Sequence, residues 1–182
     1  MTNRHPAGPS QLAEIYEAHF DFVWRSLRRL GVPDSLLEDA AHDVFLVAHR
    51  RLPEFEARSS LKTWLFAIAL RVAQSMRRSV ARQAPGEPAL EAETEAELAP
   101  DVQADRSRAV ELGVRLLNEL DADKRAVFIL AELEQLPASE IGEALGIPLF
   151  TVYSRLRAAR REFNAALARE RARGAWRSRW TS

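Results

Sequence analysis

The chain has 182 residues, 47% of them hydrophobic, with 26 basic and 26 acidic side chains and no cysteine. That length fits one ordinary domain or two small ones, and the apolar share is enough to build a core. The absence of cysteine excludes a disulfide framework, a thiolate zinc site and a cysteine nucleophile, and suits a reducing compartment, so a cytoplasmic protein is expected.

The opening MTNRHPAGPS lacks the apolar run of a secretory signal. No stretch approaches the roughly 20 apolar residues that span a bilayer, so no membrane partner is expected. The net charge of zero conceals unlike segments: residues 1–78 hold 11 basic and 9 acidic groups, 79–123 hold 4 and 11, and 124–182 hold 11 and 6. A basic C-terminal part and an acidic middle suit contact with a polyanion, although solvated helix faces are often charged as well.

A first helix is expected from about Gln11, where Leu12, Ile15, Tyr16, Val23, Leu27 and Leu30 recur along one face, and Gly31 and Pro33 stop it. A second is expected from about Asp34 to Arg51, burying Leu37, Ala41, Val44, Phe45 and Ala48, with Pro53 beyond it. A third follows Ser59 and Ser60, either of which can cap it. Its stripe is Leu61, Trp64, Leu65, Ile68, Val72, Ala73 and Met76.

From Ser79 to about Ser107 the periodicity fails. Pro85, Gly86, Pro88 and Pro100 interrupt a run that includes Glu87, Glu91, Glu93, Glu95 and Glu97, which reads as a flexible acidic linker. About 27 such residues extend to roughly 90 Å when stretched, enough to let two halves act on separate stretches of a ligand. Helical spacing returns with Val110, Val114, Leu117 and Leu120, and again with Val127, Leu130, Ala131 and Leu133. No segment alternates with period two. The expected fold is all-α, with two small helical domains at 11–80 and 107–170, a linker at 81–106, an N-terminal tail at 1–10 and a basic tail at 171–182.

The segment LPASEIGEALGIPLFTVYSRLRAARREF, 136–163, has the pattern of a helix-turn-helix. Pro137 suits the first turn of a short helix with Ile141, Ala144 and Leu145 facing inward. Gly146 supplies the turn, and Pro148 suits the N1 position of the next helix. In that second helix Val152, Leu156, Ala159, Phe163 and Leu167 form the buried stripe. The opposite face carries Leu149, Phe150, Tyr153, Ser154, Arg157, Arg160 and Arg161, an aromatic and basic surface suited to the major groove. Arg157 is the candidate for a bidentate base contact. Arg155, Arg160, Arg161 and Thr151 are candidates for phosphate contacts.

In this segment the chain resembles the extracytoplasmic-function (ECF) group of sigma-70 family sigma factors, the dissociable promoter-recognition subunits of bacterial RNA polymerase. Arg125, Val127, Phe128, Leu130, Glu140, Ile141, Leu145, Gly146, Ile147, Pro148, Thr151, Val152, Ser154, Arg155, Leu156, Ala159 and Arg160 match the family's fourth-region pattern in register. The N-terminal half matches independently: EDAAHDVFLVAHRRL at 38–52 and FEARSSLKTWLFAIALRVAQSMRR at 55–78 resemble consecutive second-region segments, in the family's order and spacing.

The resemblance implies that Asp39, His42, Asp43 and Leu46 bind the clamp helices of the polymerase's largest subunit, and that the flap of the second subunit is a further contact of core RNA polymerase. It implies that Phe55, Ser59, Ser60, Lys62, Thr63, Phe66, Arg71, Arg77 and Arg78 open the minus-ten element and hold an unstacked base of the displaced strand; these are aromatic, hydroxyl and cationic groups apt for stacking, edge recognition and backbone neutralisation. It implies that Thr151, Tyr153, Ser154, Arg155, Arg157, Arg160 and Arg161 read the minus-thirty-five element. Promoter DNA and an anti-sigma factor are the further partners implied. The chain departs from the pattern where Arg71 replaces a usual Asn, Phe150 a common Gly, Tyr153 a common Lys or Arg, Asp121 a common Pro, Gln135 a common Gly, and Pro137 the usual capping Ser.

No enzyme constellation emerges: there is no phosphate-cradling glycine loop, no thiol, and His5, His19, His42 and His49 are the only imidazoles. No cofactor is expected. His42 beside Asp39 and Asp43 is ordinary for a polar helix face, and no metal is expected there. Trp176 and Trp180 in the arginine-rich tail are conceivable contacts to DNA or a membrane surface, or part of a frayed helix end. The competing reading is an autonomous helix-turn-helix regulator with an N-terminal sensing or dimerisation domain, which the matches in both halves oppose.

Overall fold

The computed structural model describes residues 9–55, 59–83 and 102–180, with side chains described over 13–55, 59–80 and 107–173. The expected linker falls largely outside these residues, as do the first eight residues and the last two. Among the described residues every regular element is helical. The order is α1 (Pro9–Arg29), α2 (Leu37–Arg51), α3 (Leu61–Gln83), α4 (Val102–Asn118), α5 (Ala122–Phe128), a π-helical turn (Ile129–Leu133), α6 (Ala138–Leu145) and α7 (Leu149–Trp180). Short 3-10 turns at Asp34–Leu36 and Leu52–Glu54 flank α2.

Helices α1, α2 and α3 pack around one another. Gly31, at φ +84°, ends α1 in a left-handed turn in which the Val32 amide donates to Leu27 O at 3.1 Å and the Gly31 amide to Arg28 O at 3.1 Å. Val32 is buried beneath that turn. The expected inward face of α2, namely Leu37, Ala41, Val44, Phe45 and Ala48, is buried as a set. Ser60 caps α3: its hydroxyl accepts from the Thr63 amide at 3.1 Å.

In the second half Asp121 caps α5 by accepting from the Lys124 amide at 2.9 Å, so a carboxylate does locally what the absent proline would have done by fixing the backbone. The π turn after α5 shifts the side-chain register. Ile129 and Leu130 are buried while Leu133, expected inward, is exposed. Val110 is exposed too, against expectation. Gln135 closes this stretch at φ +55°, the left-handed conformation for which glycine is the default residue.

Gly146, at φ +65°, ends α6, and the Ile147 amide reaches back to Gly142 O at 3.0 Å. A Cβ on Gly142 would itself stand 3.0 Å from Ile147 O, so the small residue sets how tightly the turn packs. Pro137 and Pro148 each lie one residue before their helices rather than inside them. Helix α7 runs on to Trp180, through the span expected to be a tail; the side chains of Trp176 and Trp180 are outside those described.

One buried cluster includes residues of both halves. It includes Val23, Leu27 and Leu30 from α1 and its end, Leu65 and Ile68 from α3, and Leu117, Val127, Ile141 and Val152 from the second half. The reason is chemical as well as apolar. Arg125, in α5, is buried and donates to Leu30 O at 2.8 Å across the boundary, and to Asn118 O at 2.9 Å and Leu120 O at 2.8 Å within its own half. Glu134 lies between Arg29 Nη1 at 2.9 Å and Lys62 Nζ at 3.5 Å, linking the halves a second time.

Candidate nucleic-acid interface

Helix α7 separates its two faces cleanly. Val152, Leu156, Ala159 and Ala166 are buried, and Phe163 stacks on Phe128 with ring centroids 4.8 Å apart. Turned outward are Phe150, Tyr153, Ser154, Arg157, Arg160 and Arg161. Leu167, expected in the stripe, is half-buried at its margin, and Thr151 is half-buried at the start.

The cations on this helix are not equivalent. Arg155 pairs with Asp123 at 2.5 Å and lines a pocket between the halves, so it faces α5 and α3 more than the open surface. Arg160 pairs with Glu132, Nε to Oε1 at 2.8 Å. Arg157 and Arg161 are exposed and have no acidic partner among the described residues. Ser154 spends its hydroxyl on Thr151 O at 3.1 Å. The positive surface open to a polyanion is therefore centred on Arg157 and Arg161, while Arg155 and Arg160 must exchange a carboxylate for a phosphate to join it.

In the first half, the candidates of 55–78 divide by burial. Phe66 is fully buried in the core, and Thr63 is buried with its hydroxyl 2.8 Å from Ser60 Oγ. Both are corrections: neither presents a surface that a base can reach, because α3 is packed against α1, α2 and α6 and so buries more of its circumference than one stripe. Phe55 is half-buried against Trp64, with centroids 5.1 Å apart, which makes Trp64 the floor on which Phe55 rests. Lys62 is exposed, 4.8 Å over the Phe22 ring. Ser59 is half-buried, and Ser60, Arg71, Arg77 and Arg78 are exposed. Residues 56–58, between Phe55 and Ser59, are outside those described.

Asp39, His42, Asp43 and Leu46 lie together on one exposed strip of α2, opposite its buried face. Asp43 also lines a 430 Å³ pocket with Val47 and Arg51 of the same helix and Ile68, Arg71 and Met76 of α3. Arg71 thus borders two hollows, since it also lines the 240 Å³ pocket between the halves with Gln74, Asp123, Leu145, Ile147 and Arg155.

Pattern alone matched Arg125 but gave it no role. Burial first, and then the nearby charge of Arg77, lower its pKa to about 10, so at neutral pH it keeps its proton and its three carbonyl contacts. Its Nε has no hydrogen-bond partner among the described residues. A side chain on Gly31 would collide with this guanidinium and with Asn118, which ties the glycine to the arginine across the sequence. The signal was present in the sequence as a matched Arg125, but not its distant acceptor. Glu132, Glu134 and Asp123, which neutralise the cations, were likewise not singled out.

The sigma-70 region 2 family model matches residues 15–83, and the sigma-70 region 4 model matches residues 114–163. The chain is 30% identical over 161 residues, 85% of each chain, to RNA polymerase sigma factor NccH of Alcaligenes xylosoxydans xylosoxydans. It is 31% identical over 144 residues to ECF RNA polymerase sigma factor SigC of Mycobacterium tuberculosis, covering 76% of this chain and 73% of that one. It is 29% identical over 169 residues, 88% of each chain, to the ECF RNA polymerase sigma-E factor of Escherichia coli. Among solved structures, CnrH in complex with the cytosolic domain of CnrY has a TM-score of 0.66 at 20% identity, covering 88% of this chain and 90% of that one. The sigma factor RpoE in complex with the anti-sigma factor NepR from Bartonella quintana has a TM-score of 0.61 at 24% identity, covering 85% and 98%. Region 2 and region 4 matched in order, with relatives at 30% and 31% identity over most of both chains, place this chain in the ECF group of the sigma-70 family of RNA polymerase sigma factors.

Proposed function

We propose that this sigma factor divides promoter recognition between its two halves. As a sigma factor it binds core RNA polymerase and promoter DNA and directs promoter-specific transcription initiation. In the proposed division, the α2 strip of Asp39, His42, Asp43 and Leu46 docks on the clamp helices of the largest subunit. The surface bearing Phe55, Ser59, Ser60, Lys62, Arg71, Arg77 and Arg78 takes the minus-ten element, and the outward face of α7 takes the minus-thirty-five element while its domain meets the flap. The protein acts by binding, without catalysis of its own, and in the cytoplasm; among the described residues no helix is long and apolar enough to cross a membrane.

The observation that carries this reading is the clean partition of α7. One helix sends an unbroken apolar stripe into the core and an aromatic and cationic face outward, the arrangement a recognition helix needs in a major groove. A bidentate Arg157 contact is worth about 1–3 kcal/mol of discrimination at a guanine. In the first half a captured base contributes about 1–3 kcal/mol by stacking. Unpairing costs a few kcal/mol, so the polymerase supplies the balance.

Arg71 and Arg155, one from each half, line the same 240 Å³ pocket. That space is far too small for a duplex, so DNA enters between these two residues only if the halves part. An anti-sigma partner, as in the RpoE–NepR complex, belongs to the same reading. The test is reconstitution: core polymerase with this chain should start transcripts at specific sites on promoters selected from random sequence. No specific transcript from any of them, together with tight binding of the chain alone to duplex operators, would favour the autonomous regulator instead.

A further inference from the structure

Three of the seven exposed large apolar side chains among the described residues sit on the first turns of α7: Leu149 is 48% exposed, Phe150 82% and Tyr153 58%. Residues this open contribute little to folding, so the core does not account for them. They are not isolated from the charged surface. Phe150, Tyr153 or Ser154, Arg157 and Arg161 succeed one another at helical spacing, so the apolar tip runs directly into two arginines that have no acidic partner among the described residues.

We propose that Phe150 and Tyr153 read thymine methyl groups in the upstream promoter element. The inference rests on the assignment of the α7 face to duplex DNA and goes beyond it by naming the base feature recognised. Arg157 and Arg161 continue the apolar tip with positive charge that no described carboxylate pairs, which complements a phosphate backbone. Within the major groove the C5 methyl of thymine is the apolar group on the base edges, and it is the partner an exposed Phe takes there. The family pattern has a small or cationic residue at each of the two positions, so the preference would be particular to this chain. It shifts the upstream element from one read by cations at guanine toward one containing thymines beneath the start of α7.

The test uses the full chain, core polymerase and a promoter selected by that pair, with each thymine of the upstream element replaced in turn by uracil. Uracil keeps base pairing and removes only the methyl. At one or two positions the replacement should lower initiation about fourfold, the equivalent of one lost methyl contact. In the Phe150→Ala or Tyr153→Ala protein, the same replacement should have no further effect. Uracil tolerated at every position, or an equal loss in the wild-type and both variant proteins, overturns the inference, the second result showing that the methyl is sensed elsewhere. Scrambling the whole upstream element separates this from failure of the broader reading. If scrambling lowers initiation but uracil does not, methyl recognition alone is wrong; if scrambling has no effect, α7 does not read bases and both fall.

Discussion

The two halves of this protein treat their candidate contact residues differently. In the second half, α7 has a free side, and the residues that periodicity turns away from the core, Tyr153, Arg157 and Arg161 among them, are at the surface. In the first half, α3 is packed by α1, α2 and α6, so Thr63 and Phe66, off the sequence stripe, are also buried. A helix with one buried face reveals its function by subtraction, whereas a helix enclosed on several sides does not.

Truncating one aromatic in each half should separate the two most strongly. Phe66→Ala should destabilise the fold by about 3–5 kcal/mol, whereas Phe150→Ala, on an open surface, should stay within about 0.5 kcal/mol. Chemical denaturation of both variants decides it, and equal losses would mean that the α7 face is covered.

The next largest effect tests whether the halves are joined as described. Arg125→Met removes donors to three carbonyls, one of them Leu30 O in the other half. Buried acceptors left without donors should cost about 3 kcal/mol. Hydrogen exchange should rise both at the end of α1 and around α5; a rise confined to α5 would mean that the contact with Leu30 contributes nothing.

A smaller effect concerns the cap that replaces a turn proline. Burial opposes ionisation of Asp121, but hydrogen bonds and the charge of Lys124 outweigh it, so its pKa lies below the ordinary carboxylate value. A depressed carboxylate pKa contributes stability that is present above the unfolded pKa, near 3.8, and is lost as pH falls through the lower folded value. Asp121→Ala should therefore cost about 1 kcal/mol at neutral pH, with the difference from wild type shrinking below about pH 4 in acid titrations of stability.

Much of the architecture was legible because its determinants are local. Gly31 and Gly146 stop α1 and α6 where the chain turns left-handed, and the α2 and α7 stripes are buried close to the expected pattern. What was not legible depends on partners distant in sequence or on a break in register. Arg125 and Leu30 O are 95 residues apart, and no spacing rule joins them. The π turn rotates Leu133 outward although its position continues the apolar pattern. The α7 cations were legible as a group, but not their division into Arg155 and Arg160, held by Asp123 and Glu132, and Arg157 and Arg161, which have no acidic partner among the described residues.

In the proposed division, upstream reading belongs to the open face of α7 and start-site recognition to the other half. That division is tested most directly by selecting promoters from a random library with core polymerase and either the wild-type chain or the Arg157→Ala, Arg161→Ala double variant. The double variant should have a weakened upstream preference, lost most at the base read by Arg157, with the start-proximal preference kept. An unchanged upstream preference, or loss of the start-proximal one alone, would contradict it.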